Sequence, residues 1–139
     1  MIAIDTNVLV RLFMNDDDAQ AQKARALFDT CAGNDEQLWI TDIVLVELVW
    51  ALDRSYDRPK GEICTALRAL AGNATVCLES GACVEQAIAL YAQGPAGFAD
   101  CLLAVKANLA CESLRSFDKK MRGLPSVKLL RSRQHLRML

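Results

Sequence analysis

The sequence predicts an α/β protein in which helices cover both faces of a parallel sheet. Short apolar segments alternate with longer stretches whose apolar residues recur at helical spacing. Hydrophobic residues make up 53% of the 139 residues and charged residues 24%, which excludes a disordered or collagen-like chain. No repeat or Pro/Gly-rich linker divides the sequence. We therefore expect one domain over residues 1–130, followed by a basic tail at residues 131–139.

The first half of the chain is predicted to contain two strands and four helices. An apolar stripe from Val8 to Phe13 indicates the first helix. Three acids, Asp16–Asp18, suit the start of the second helix, since they cap its N–H groups and favour its positive end. Pro59 suits the first turn of the fourth helix. The predicted strands are Ile2–Ile4 and Gln37–Ile40, and the helices are Thr6–Met14, Asp16 to about Cys31, Asp42–Tyr56 and Pro59 to about Ala71.

The second half repeats this alternation after a turn at Gly72-Asn73. Gly94-Pro95 separates two helices, because proline cannot continue a helix. Right-handed crossovers bring the carboxyl ends of parallel strands to one edge, where α/β proteins place their sites. The predicted strands are Ala74–Leu78, Glu112–Phe117 and Val127–Leu130, and the helical segments are Ser80–Ala92, Phe98–Leu109 and a turn at Asp118–Arg122.

Composition narrows the classes of function. The six cysteines form no Cys-x-x-Cys pair and mostly lie in apolar stretches, as reduced cysteines of a cytoplasmic protein do. The single histidine, His135, lies in the tail, so a zinc site and a Ser/His/Asp triad lack their usual parts. No apolar run reaches the roughly 18 residues of a membrane helix, and the acid at position 5 argues against a signal peptide.

Charge is distributed unevenly along the chain, although the formal net charge is only −1. Residues 1–114 carry eight basic and sixteen acidic side chains, whereas residues 115–139 carry eight basic side chains and one acid, Asp118. Such a basic end can attract a polyanion. It is equally compatible with a solvated end or with a contact to an acidic partner chain.

Four acids stand apart from the polar stretches. Asp5 and Asp118 follow predicted strands, whereas Glu47 and Asp100 are the only charges in apolar helical runs. Asp5, Asp100 and Asp118 also have a structural interpretation as helix caps. Glu47 lies in a helix that is apolar on all sides and is expected to be buried, so it must be paired, neutralised or metal-bound. A buried arginine such as Arg11 is the structural alternative for its partner.

Taken together, the four carboxylates predict a cation site at one edge of the sheet. Carboxylates that share a site repel one another and have raised pKa values, and a divalent cation removes that cost. Oxygen ligands without histidine or cysteine suit Mg²⁺ or Mn²⁺. Because Mg²⁺ accepts water and substrate phosphates as further ligands, phosphodiester chemistry is the natural activity of such a site.

The segments that carry these acids resemble the successive motifs of PIN-domain nucleases. They read Met-Ile-Ala-Ile-Asp-Thr-Asn-Val-Leu-Val-Arg, Val-Glu-Leu-Val-Trp, Phe-Ala-Asp-Cys-Leu-Leu-Ala and Ser-Phe-Asp-Lys. Within that family the chain is similar to the VapC-type toxins of bacterial toxin–antitoxin pairs, over about residues 1–130. The resemblance implies a three-layer α/β/α fold with a short five-stranded parallel sheet. It also implies an endoribonuclease that cuts RNA phosphodiesters with a water activated by Mg²⁺ or Mn²⁺.

The resemblance assigns roles to particular positions. The family's catalytic, metal-binding acids fall on Asp5, Glu47, Asp100 and Asp118, and its supporting polar residues fall on Thr6, Asn7 and Ser116. From the residues alone, these three polar side chains could equally be turn and capping groups.

Further implications concern the second metal and the partners. Many relatives carry another acid three residues before the third one, where this chain has Gly97, so a second metal position is expected to be weak or to form only with RNA. The resemblance further implies a cognate antitoxin whose tail occupies the cleft, and a homodimer.

One other function stays open at this point, and two further ones lack residues that they need. A non-catalytic module on the same fold could bind RNA or a protein, and the acids would then be structural. A dehalogenase-like phosphatase needs a second aspartate at position 7, which is asparagine here. A receiver domain needs an acid pair before the first strand, where only Met1 to Ile4 precede Asp5.

Overall fold

The computed structural model describes residues 1–130 of the chain. These residues belong to two compact units, of which the first comprises Met1–Glu85 and the second begins at Gln86. The expected basic tail at residues 131–139, with His135, lies outside the described residues. The expectation of one domain over residues 1–130 stays a prediction.

The first unit contains a parallel sheet of three strands in the order β1-β2-β3. Leu38 of the central strand is paired with Ile2 on one side and with Val76 on the other. The elements are β1 Ile2–Ala3, α1 Thr6–Met14, α2 Asp18–Gly33, β2 Leu38–Ile40, α3 Asp42–Trp50, a π-helical turn Ala51–Ser55, α4 Lys60–Ala71 and β3 Val76–Leu78. Helix α5, Gly81–Gln93, begins in this unit and ends in the second.

The second unit continues with α6 Phe98–Ala110, β4 Leu114–Ser116, a 3₁₀ turn Lys119–Met121 and β5 Val127–Leu129. Strands β4 and β5 pair in parallel. Phe98 is fully buried and packs edge-to-face on Tyr91, with 6.1 Å between the ring centroids. This buried pair anchors the start of α6, the helix that carries Asp100.

Hydrogen bonding groups the strands differently from the single five-stranded sheet expected from the sequence. All five predicted strands are present and all pairings are parallel, but the hydrogen-bonded ladders have three strands and two strands. The strands have only two or three residues each, fewer than predicted, so each offers few backbone groups for pairing. Their alternation with helices agrees with the predicted α/β class.

Local sequence explains where the helices of the first unit begin and end. Asp5 caps α1, Asp17 caps α2 and Thr41 caps α3, each through a side-chain oxygen that accepts a backbone N–H. Asn15 ends α1 in the left-handed conformation, which asparagine tolerates better than most residues. The predicted role of the acids at 16–18 in opening the second helix is fulfilled by Asp17.

The expectation that α3 is buried on all sides is wrong. Leu45 and Leu48 are buried, with exposed fractions of 1% and 0%, but Ile43 is 67% exposed and Glu47 and Trp50 are also exposed. Ile43, Glu47 and Trp50 are spaced i, i+4, i+7, so they share one face of the helix. The apolar sequence did not reveal this face because its two other members are themselves hydrophobic.

Cysteine pairing and membrane-spanning potential can be read directly from the described residues. None of the six cysteines, all of which lie within residues 1–130, is in a disulfide. No helix in this range is both long enough and apolar enough to cross a bilayer.

The orientation of α3 predicts different costs for two aliphatic truncations. We expect Leu45→Ala to lower the free energy of unfolding by about 2–5 kcal/mol, because it leaves a cavity in the core. The matched change Ile43→Ala, on the exposed face, should cost about 0.5 kcal/mol or less. Urea denaturation of the two variants measures both values, and equal costs would contradict the orientation.

Candidate functional site

Asp5 lies directly after β1, at the first turn of α1. Its Oδ1 accepts the Val8 N–H at 3.4 Å, a long capping hydrogen bond, and its side chain is exposed. The capping interpretation is therefore correct for Asp5. Because a carboxylate has two oxygens with several acceptor positions, capping by Oδ1 leaves it able to bind a further group.

Glu47 faces the start of α1 from the middle of α3. Thr6 Oγ1 donates to Glu47 Oε2 at 3.4 Å, which connects residues 41 positions apart. Asp5, Thr6, Asn7 and Glu47 line one cavity of about 450 Å³ within the first unit. The volume is typical of ligand-binding pockets. The structure thus brings together all four site residues predicted in this unit.

The structural alternative that paired Glu47 with Arg11 is wrong. Arg11 Nη1 binds Asp16 Oδ1 at 2.7 Å, and Arg11 Nε donates to Gln20 Oε1 at 2.6 Å. Glu47 is exposed, so its charge stays hydrated, and among residues 1–130 it has no arginine partner. Asp16 was expected to help open α2, but Asp17 is the residue that caps that helix.

Tyr56 is a further residue of this cavity, and no motif in the sequence indicated it. Its hydroxyl donates to Asp16 Oδ2 at 2.6 Å, across 40 positions of sequence. The hydrogen bond from Tyr56, and then the Arg11 guanidinium, lower the pKa of Asp16. The same bond raises the pKa of Tyr56, since its proton is shared with a carboxylate. An ionised Asp16 and a neutral Tyr56 are therefore the stable forms near neutral pH.

The second unit brings the other two predicted acids into electrostatic contact. Asp100 lies in the first turn of α6 and is half-buried. Burial raises the pKa of Asp100, and the negative charge of Asp118 raises it further. Like-charge repulsion of this kind was predicted for acids that share a site.

Ser116 positions the backbone of Asp118. The Asp118 N–H donates to Ser116 Oγ at 2.9 Å, and Asp118 Oδ1 in turn accepts the Lys120 N–H at 2.9 Å. Ser116 and Asp118 thus both have the turn and cap roles that the sequence left open for them. These contacts fix Asp118 at the end of β4, where it acts electrostatically on Asp100.

Each unit therefore contains one pair of the predicted acids. Asp5 and Glu47 line one cavity, and Asp100 and Asp118 influence each other electrostatically. Within residues 1–130 no three Asp, Glu, His or Cys side chains are arranged as a ready metal site. A cation site made by all four acids stays a prediction.

The Asp100–Asp118 interaction predicts a specific titration change. Asp118→Asn should lower the pKa of Asp100, but not to its ordinary value, because burial is the larger cause. Because the pKa of Asp100 is higher in the folded protein than in the unfolded chain, ionisation of Asp100 destabilises the fold. Its contribution to stability is therefore complete below the unfolded-state pKa and is lost as the pH rises through the folded-state pKa. Asp118→Asn should therefore lose less stability than the unmodified protein as the pH rises between the unfolded-state and folded-state pKa values of Asp100.

Carbon-13 NMR titration of the Asp100 carboxyl measures this shift directly. Glu112→Gln, which removes another exposed acid of the second unit, is the control and should leave the Asp100 pKa unchanged. An Asp100 pKa that is the same in Asp118→Asn and in the unmodified protein would contradict the interaction.

Comparison with known proteins agrees with this order of helices and parallel strands. The chain is similar to a VapC ribonuclease of Aquifex aeolicus (strain VF5), with 25% identity over 125 residues that cover 89% of this chain and 92% of that protein. The profile of the PIN domain matches residues 2–126, a range that includes all seven predicted site residues. With the alternating helices and parallel strands, this match confirms the predicted α/β/α fold class. The chain belongs to the PIN domain family.

Proposed function

We propose that this protein is an endoribonuclease of the VapC type, which hydrolyses RNA phosphodiesters with Mg²⁺ or Mn²⁺ held by Asp5, Glu47, Asp100 and Asp118. One observation carries the proposal. Within residues 1–130, none of these four acids is in an ion pair with a basic side chain. Three of these acids are exposed and Asp100 is half-buried, so their carboxylate oxygens are accessible to a cation and no basic side chain competes for them. Membership of the PIN domain family and similarity to a VapC ribonuclease support the same activity.

The donor set fits a hard divalent cation. All four candidate ligands supply carboxylate oxygens, the donors that Mg²⁺ and Mn²⁺ prefer. Burial and, to a smaller extent, the charge of Asp118 raise the pKa of Asp100, and a bound cation would relieve the second of these effects. When bound, such an ion neutralises phosphate charge and lowers the pKa of a coordinated water.

The other polar residues hold the acids or contact the substrate. Thr6 restrains Glu47 through its hydroxyl, and Ser116 restrains the backbone of Asp118. Asn7 is exposed in the cavity that Thr6 and Glu47 line, where its amide can bind a phosphate or a ribose hydroxyl. The exposed Lys119 and Lys120 follow Asp118 directly and supply positive charge for the RNA backbone.

The proposal includes the partners that the family resemblance implies. A cognate antitoxin would inhibit the enzyme by occupying the cleft, and a basic side chain of its tail would compensate the acids. A homodimer and a cytoplasmic location belong to the same proposal. Exposed apolar side chains, including Ile43, Trp50 and Leu109, are available for burial in such contacts.

A non-catalytic RNA- or protein-binding module is the second candidate. It is favoured by the absence of a preformed three-ligand metal group among residues 1–130. In that case the four acids would contribute to stability or solubility, and their neutral isosteres would leave no activity to lose. Kinetics of isosteric variants separate the two candidates.

Neutral isosteres of the first-unit acids test the nuclease. We expect Asp5→Asn and Glu47→Gln each to lower kcat for cleavage of RNA in Mg²⁺ or Mn²⁺ by about a hundredfold or more, since each removes charge stabilisation from the reacting phosphate. Cleavage should stop when EDTA removes the metal. Asp29→Asn, an exposed acid of α2 outside the cavity, is the matched control and should cut at the unmodified rate.

Two results would contradict the proposal. Equal cutting by Asp5→Asn, Glu47→Gln and the control would remove these acids from the mechanism. Strongly salt-dependent RNA binding without any product, at every metal concentration tested, would favour the binding module.

Gly97 gives a second test, because many relatives carry an acid at this position. Gly97 is the N-cap of α6, its φ of −70° suits any residue, and a Cβ there would meet no atom within 4 Å. Gly97→Asp should raise stability by a few tenths of a kcal/mol, as aspartate is a slightly better N-cap than glycine.

Gly97→Asp should also lower the Mn²⁺ concentration needed for half-maximal cleavage, because it adds a carboxylate three residues from Asp100. Calorimetry and a metal titration of cleavage measure the two effects, with Gly97→Asn as the uncharged control. An unchanged metal requirement would mean that position 97 does not contribute to metal binding.

A further inference from the structure

We infer that Tyr56 is a substrate-positioning residue whose ring stacks on a nucleobase of the RNA strand that crosses the acidic cavity. The inference rests on the proposed function and adds to it a specific contact for the base. Four features of the first unit support it. They are the π-helical turn before Tyr56, the hydrogen bond of the Tyr56 hydroxyl to a residue outside the cavity lining, the uneven charge of the side chains that line the cavity, and the apolar side chains in the same lining.

The backbone changes its helical pitch directly before Tyr56. Helix α3 ends at Trp50, and Ala51–Ser55 continue as a π-helical turn in which the Tyr56 N–H donates to the Ala51 carbonyl at 3.2 Å. An i-to-i−5 bond adds one residue to the turn, so the following side chains point elsewhere than in a regular α-helix. With this turn, Ser55 and Tyr56 line the cavity that also contains Glu47. Single π-helical turns occur frequently at functional sites.

The hydroxyl of Tyr56 is engaged by groups that fix the ring in position. It donates to Asp16 Oδ2 at 2.6 Å, and the other oxygen of Asp16 binds Arg11 at 2.7 Å. Gln20 accepts a further bond from Arg11 at 2.6 Å. A ring held by such a network loses little conformational entropy when a flat ligand stacks on it.

The network divides the cavity into two ends of different charge. At Tyr56, the charges of Arg11 and its partner Asp16 compensate each other, whereas Asp5 and Glu47, which line the same cavity, have no basic ion-pair partner among residues 1–130 and make their part of it negative. The positive charge of Arg11 is therefore already paired with Asp16, so the part of the cavity at Tyr56 attracts a phosphate only weakly. A neutral, flat group such as a nucleobase suits it better, while the acidic end suits a cation and the scissile phosphate.

Apolar side chains complete the wall beside the tyrosine. Val10, Val44 and Ala51 line the same cavity. Proteins that bind single-stranded RNA commonly stack splayed bases on aromatic rings in such surroundings. With a volume of about 450 Å³, the cavity is in the range of pockets that hold small ligands.

Three variants separate stacking from a purely structural role. Tyr56→Phe keeps the ring and removes the hydroxyl, Tyr56→Leu removes both, and Asp16→Asn weakens the network without touching the ring. The substrate is a short single-stranded RNA spanning a cleavage site mapped with the unmodified protein, together with copies that carry one abasic position each. Calorimetric Tm, kcat and KM are measured for every variant.

We expect all three variants to lose thermal stability, because each disturbs the Tyr56–Asp16 bond. Tyr56→Leu should raise KM about tenfold or more with a much smaller change in kcat. Tyr56→Phe should restore most of the affinity. One abasic position should raise KM for the unmodified protein and for Tyr56→Phe, but should have no further effect in Tyr56→Leu, since the stacking contact is already gone.

A KM that rises equally in Tyr56→Phe, Tyr56→Leu and Asp16→Asn would overturn the inference. Tyr56 would then act only through its hydrogen bond to Asp16, as a residue that stabilises the fold. The absence of any abasic position whose effect disappears in Tyr56→Leu would overturn it as well.

A binding assay keeps this test separate from the test of the nuclease. Single-stranded RNA oligonucleotides with 2-aminopurine at successive positions are titrated with the unmodified protein and the three variants in Ca²⁺. Fluorescence quenching that depends on the ring supports stacking even if no RNA is cut, in which case only the proposed hydrolysis fails. Cleavage by the unmodified protein with no ring-dependent quenching would overturn the inference alone.

Discussion

Helix α3 packs against the core of the first unit through one face, and the acidic cavity depends on this packing. Leu45 and Leu48 are buried, so the helical period turns Glu47 away from the core. At that position Glu47 meets Thr6 at the start of α1, and the cavity forms between the two helices. Directly after this packed helix, the chain continues into the π-helical turn that precedes Tyr56.

Unpaired negative charge is the second organising feature of the molecule. The first unit leaves Asp5 and Glu47 exposed to water, and within residues 1–130 each accepts one long hydrogen bond, from the Val8 N–H and the Thr6 hydroxyl respectively. The second unit places Asp100 in a half-buried position where the charge of Asp118 raises its pKa. The second arrangement disfavours the charged form of Asp100, whereas the first leaves its two carboxylates accessible to solvent.

Arg11 illustrates how a basic residue near these acids can serve another purpose. It binds Asp16 and Gln20, and through Asp16 it supports the hydroxyl of Tyr56. This chain of bonds joins the end of α1, the start of α2 and the end of the π-helical turn. Arg11 lines the same cavity as Glu47, but its charge is neutralised by Asp16.

The sequence by itself determined the order of the elements and the identity of the acids that stand out, because these properties depend on neighbours within a few residues. Only the tertiary structure decided that Glu47 lies on an exposed face, since an apolar sequence on every side of α3 cannot indicate which face packs. The same holds for the partner of Arg11 and for Tyr56, whose bond to Asp16 spans 40 residues. Local periodicity contains no information about such contacts, which arise when separate helices pack together.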